Sequence, residues 1–131
     1  MQLSFRTMSI FTAALCLVLA LVWGLMPDWL LAIWGIEFSS TAGFVARRSA
    51  VIFAALGLIF FWVRNEPPSV TRNALSSGFM VGCFGLAALG FSEWLNGHTG
   101  PGILLAVLAE LALGLGFLQA RRVLIGLETA G

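Results

Sequence analysis

Arg64-Asn65-Glu66-Pro67-Pro68-Ser69-Val70-Thr71-Arg72 is the stretch on which the fold turns. Paired prolines cannot continue a helix, because each lacks an N–H and its ring clashes with the preceding turn. On either side lie long apolar runs, about Phe44 to Val63 and about Asn73 to Trp94. A crossing takes roughly 20 apolar residues to span about 30 Å of hydrocarbon, so each run is long enough to be one. The loop between them holds two arginines, and loops that retain arginine stay on the cytoplasmic side of a membrane.

The same logic extends outward in both directions. An earlier run, about Met8 to Met26, follows Arg6 and ends at Pro27-Asp28. A later one, about Pro101 to Ala120, follows the turn Asn96-Gly97-His98-Thr99-Gly100 and stops at Arg121-Arg122. Proline suits the first turn of a helix, and Thr71 or Asn73 offers a cap for the third. The inner segments then hold Arg6, Arg64, Arg72, Arg121 and Arg122, and the outer loops hold no arginine. The expected fold is all-α: a four-transmembrane-helix bundle forming a single integral membrane domain over residues 1–131. Both termini are expected in the cytoplasm, and the expected location is the bacterial inner (plasma) membrane.

Composition agrees. Mean hydropathy is +0.99, 60% of residues are hydrophobic and only 10% are charged, too few charges for a soluble surface. Basic or low-complexity tracts are absent from the sequence, so nucleic acid is not an expected partner. Between the first two runs, Trp29 to Gly43 is less apolar and carries Trp29, Trp34 and Glu37. Tryptophan favours the headgroup level, so this reads as a short interfacial segment, with Asp28 a possible helix cap.

Helices in lipid associate through small residues that admit close backbone approach. The third run offers Ala74, Gly78, Gly82, Gly85, Ala88 and Ser92, and the second Ala46, Ala50, Ala54 and Gly57. The fourth offers Gly102, Ala106, Ala109, Gly116 and Ala120, and the first Ala13, Cys16, Ala20 and Gly24. These are the expected packing faces, toward a neighbouring helix or another subunit. Phe53, Phe60, Phe61 and Trp62 are expected to face lipid or the interface.

Glu110 is the residue that the membrane tolerates least, about 13 Å into the fourth helix at 1.5 Å per residue. It should be protonated or matched to a cation. Arg47 and Arg48 enter the second helix from the same side, and helical spacing turns Arg47 toward the small-residue face and Arg48 away from it. The expectation is a buried ion pair or ligand site built from Arg47 and Glu110, with Arg48 snorkelling outward and Glu93 as a second acidic partner. Cys16 and Cys83 match no metal-ligand spacing and read as small buried hydrophobes, and His98 reads as solvated. Nothing resembles a nucleophile–base pair, a phosphate loop or a metalloprotease helix, so catalytic residues, metal and cofactor are expected to be none.

Three elements carry a family resemblance: Pro27-Asp28-Trp29-Leu30-Leu31 with Trp34-Gly35-Ile36, Arg47 followed by Gly57-Leu58, and Glu110 followed by Leu111-Ala112-Leu113. In these the chain resembles bacterial families of small four-helix membrane proteins grouped as domains of unknown function, loosely DoxX-like in shape. The resemblance implies a fold and a buried charge pair, with no assigned activity. Members carry a polar or basic residue late in the third helix, where this chain reads Gly90-Phe91-Ser92-Glu93.

The function expected from all this is that of a non-enzymatic small membrane protein. It would be an accessory subunit of a membrane complex, or bind a lipid-like or quinone-like molecule. The alternative is a homo-oligomeric, proton-coupled transporter or channel using Glu110. Its partners would be membrane lipids, with a larger complex or further copies of itself.

Overall fold

A computed structural model describes residues 3–130, except for the side chains of residues 122–129. Arg122 therefore lies, as a side chain, outside the described residues. The architecture is all-helical: α1 (Phe5–Leu25), α2 (Pro27–Ile33), α3 (Ser40–Trp62), α4 (Val70–Leu95) and α5 (Ile103–Ala130). Four of these are long and apolar enough to cross a membrane: Phe5–Leu25, Ser40–Trp62, Val70–Leu95 and Ile103–Arg121. The short α2 stands between the first two. Many large apolar side chains are exposed, among them Val51 at 70% and Val81 at 74%, as expected of helices whose outer surface meets lipid rather than water.

Serine hydroxyls set the starts of three long helices. Ser4, Ser39 and Ser69 accept from the N–H groups of Thr7, Ala42 and Arg72 respectively, each satisfying one donor left free by the first turn. Ser69, rather than Thr71 or Asn73, thus caps α4. Asp28 stands in the first turn of α2 but makes no capping bond; Pro27 opens that helix and the fold of the chain at Met26 starts it. Pro101 precedes α5 rather than entering it, and α5 runs past Arg121 to Ala130.

The long helices form two antiparallel hairpins. α1 packs closely on α3, and α4 packs on α5. The hairpins meet chiefly where α1 touches α5, while α3 and α4 make little helix-to-helix contact despite the short loop joining them. The two ends of the molecule are held differently. At the end with the chain termini, Phe60, Phe79 and Phe117 form an aromatic cluster, with ring centroids 4.7 to 5.5 Å apart. Phe5 of α1 joins it at 6.2 Å from Phe117. Such offset and edge-on contacts add to the burial of the rings themselves. Phe60 is fully buried, which corrects the expectation that it faces lipid; Phe61 and Trp62 do point outward.

At the opposite end the joint is made by backbone. The Gly100 N–H donates to the Trp34 carbonyl at 2.7 Å, tying the α4–α5 turn to the end of α2. Gly35 has a φ of +70°, and a Cβ there would lie 2.9 Å from the Gly100 nitrogen. Conformation and space both call for glycine. A Cβ on Gly102 would collide with the Ile33 carbonyl. Gly102 is therefore a close-approach residue, with α2 as the neighbour.

Candidate functional site: an apolar cavity with one carboxylate

Because the hairpins join at their ends and not along their length, space remains between them. It is a cavity of about 690 Å³ to which all five helices contribute. Leu15, Cys16, Leu19 and Trp23 enter from α1, and Phe53, Leu56 and Phe60 from α3. α4 supplies Leu75, Phe79, Cys83 and Leu86, and α5 supplies Leu105, Ala106, Ala109, Glu110 and Leu113. Trp29, Leu30 and Ile33 of α2 and Trp34 just after it close one end, where Trp34 packs edge-on against Trp23 with centroids 5.2 Å apart. The phenylalanine cluster closes the other. Among the described residues Glu110 is the sole charged one in the lining.

Glu110 is half-buried. Among the described residues it makes no ion pair and no side-chain hydrogen bond; the ion pair present joins Glu93 to His98. The expected pairing with Arg47 is not formed. Arg47 and Arg48 are both exposed on α3. The Arg47 guanidinium lies back over its own helix beside Gly43, and that of Arg48 sits 5.8 Å from the Phe44 ring centroid. The physical reason is helix arrangement: α3 packs on α1 and α5 packs on α4, so the helices bearing the two charges are not close neighbours. Both arginines instead reach toward the start of α3, where snorkelling brings a long cationic side chain to headgroups. Glu93, considered as a further partner for the arginines, holds His98 at 2.6 Å in an exposed loop contact. Exposed pairs of this kind contribute little, about 0–1 kcal/mol.

The small-residue faces divide. On α3, Ala46, Ala50 and Gly57 are buried and Ala54 partly so. A Cβ on Gly57 would come within 2.8 Å of Leu17 and 3.2 Å of the Ala13 carbonyl, and one on Gly24 would meet Ala50 at 3.6 Å. This stripe brings α1 and α3 together. The stripe on α4 does not pack: Gly78, Gly82 and Gly85 have no atom within 4 Å of where a Cβ would stand. Gly78 and Gly82 open onto the cavity, as does Ala106 of α5, and Gly85 lies outside its lining. α4 meets α5 through another face carrying Ser76, Cys83 and Ala87, all buried, and Gly90, where a Cβ would lie 3.0 Å from Val107. Both faces have helical spacing, so periodicity alone does not rank them.

The sequence reading missed the cavity, with Trp29 and Trp34 as its wall. One signal was available: α4 has small residues on two faces, more than a single packing contact uses. The free cysteines are buried, as expected, and both border the cavity. Ser9 and Thr12 of α1 are fully buried and their hydroxyls have no partner among the described residues. Among the described residues no group of three or more His, Cys, Asp or Glu side chains stands together as a metal site would require. At the end with the termini, Arg72 donates to the Glu66 carbonyl at 3.1 Å with its guanidinium 4.2 Å from the Phe5 ring centroid. Arg64 donates to the Phe61 carbonyl, and Arg121 to Ser77 at 3.1 Å. These three arginines stand at the same end as Arg6 in the first turn of α1.

In comparisons with known proteins, no family model, no curated protein and no solved structure matches this chain.

Proposed function

We propose that this chain is a non-enzymatic integral membrane protein that binds a lipid-like or quinone-like molecule between its two hairpins. It would do so alone or as an accessory subunit of a larger membrane complex, in a bacterial inner membrane with both termini cytoplasmic. The observation that carries the reading is the cavity itself. Its volume of about 690 Å³ falls in the roughly 300–1,000 Å³ range of ligand pockets, which are mostly apolar with a few fixed polar groups. A closely packed bundle leaves few voids larger than a water molecule, so a space of this size and apolar character between helices suits an apolar occupant.

Extraction of the purified protein tests this. Organic extraction and mass spectrometry of the wild type should recover a stoichiometric apolar molecule. Gly82→Leu, whose added side chain enters open space at the cavity wall, should fold and lose it. Gly85→Leu, equally unobstructed but outside the lining, should keep it. Recovery of nothing beyond bulk lipid from all three proteins would remove the reading.

Glu110 supports one other function. An unpaired carboxylate facing a cavity within a membrane is what a proton-coupled carrier uses. In reconstituted vesicles that reading expects a flux abolished by Glu110→Gln and retained in Arg48→Ala, whereas a binder shows none.

A further inference from the structure

We infer that the occupant of this cavity enters sideways from the bilayer, between α3 and α4, and presents a hydrogen-bond donor, a hydroxyl or a protonated amine, to Glu110. The inference rests on the binding reading above and adds the route and the head group.

The route follows from where the helices fail to meet. α3 and α4 make little contact along their length, touching through Phe60 and Phe79 at one end. The face of α4 beside that gap carries Gly78 and Gly82, both exposed and both bordering the cavity. Trp29 and Trp34 close one end and the phenylalanine cluster the other, which leaves the side. A molecule dissolved in lipid can therefore reach the cavity without crossing water.

The head group follows from Glu110. Among the described residues every other one in the lining is uncharged, and the carboxyl group finds no donor or cation. Leaving an acidic group unmatched at this depth is unfavourable. A ligand that brings a donor supplies the missing partner, and a protonated amine also matches the charge. Against ionised Glu110 a carboxylate or phosphate head brings like charge and further acceptors, so fatty acids and anionic lipid heads are disfavoured beside that form. On α5, Glu110 lies between Leu105, Ala106 and Ala109 on one side and Leu113 on the other. The donor therefore sits partway along an apolar slot.

The test uses three brominated long-chain compounds of one chain length, an amine, an alcohol and a carboxylate, added to the protein in uncharged phosphatidylcholine nanodiscs. Trp23, Trp29 and Trp34 border the cavity, so bound bromine quenches their fluorescence and saturation reports affinity. The expected order is amine, then alcohol, then carboxylate. A hydrogen bond to a charged group corresponds to about tenfold or more in affinity. In Glu110→Gln the amine should weaken about tenfold and the carboxylate should gain on it. Leu at Gly82 should weaken all three, and Leu at Gly85 none. If all three compounds saturate with equal affinity, or the order survives Glu110→Gln, the head-group inference falls and the binding reading stands. If none saturates, the binding reading falls with it. Full affinity in Gly82→Leu would remove the lateral route and the cavity as the site.

Discussion

Phe60 has no exposed surface, yet its neighbours Phe61 and Trp62 are 46% and 71% exposed. Nothing in the local sequence separates the three, since all are aromatic and end the same helix. The separation comes from Phe79 and Phe117, which lie on other helices and meet Phe60 in space. Glu110 and Arg47 show the same limit from the other direction. Each was legible as a charge out of place in an apolar run, because the expense of burying charge depends on the local environment alone. Their partnership was not legible, because it depends on which helices are neighbours. The structure leaves the two apart, and a measurement follows. Stability of Arg47→Ala, Glu110→Ala and the double variant, followed by unfolding in mixed detergent micelles, should be additive within about 0.3–0.5 kcal/mol, as for sites without shared contacts. A coupling of several kcal/mol, as a buried pair would give, would show that the charges do meet.

At the scale of the helix, the ends and the apolar lengths were the legible part. The prolines of the α3–α4 loop, the tryptophan-bearing α2 and the four spans all follow from local chemistry. Start positions moved by a few residues, since Ser4, Ser39 and Ser69 cap their helices and precede the apolar runs by which the helices were recognised. The small-residue stripes were legible as stripes and ambiguous as contacts. A glycine shows that a neighbour can approach, and an open cavity uses the same residue as a tight crossing. Two substitutions separate the cases. Gly57→Leu must displace Leu17 and the Ala13 carbonyl and should destabilise by about 1–3 kcal/mol, the usual range for overpacking. Gly82→Leu meets nothing and should leave stability nearly unchanged. Thermal unfolding of both in one detergent checks this; equal losses would mean that the α4 stripe is packed after all.

For the whole molecule, two hairpins joined at their ends explain both stability and function on our reading. The phenylalanine cluster and the Gly100–Trp34 backbone bond hold the ends, and the space between stays open. Orientation is a property of the whole chain, argued from its arginines, and is open to test. In intact cells an impermeant thiol reagent should label cysteines placed at Ser39 and His98 and spare one at Glu66, in a background with Cys16 and Cys83 replaced. Labelling at Glu66 alone would invert the topology.

The sequence by itself determined the class, the number of runs long and apolar enough to cross a membrane, the short segment between the first two and the residues whose chemistry is out of place in lipid. These rest on local quantities: hydropathy over one span, backbone constraints at proline, and the expense of a charge in hydrocarbon. Only the tertiary structure decided that α1 takes α3 as its partner and α4 takes α5. The same arrangement leaves Arg47 and Glu110 apart and turns Gly78 and Gly82 toward an open cavity. The physical reason is that helices surrounded by lipid gain little from burying apolar area against one another. Pairing is therefore settled by the fit of particular surfaces, which a one-dimensional pattern of small and large residues does not specify.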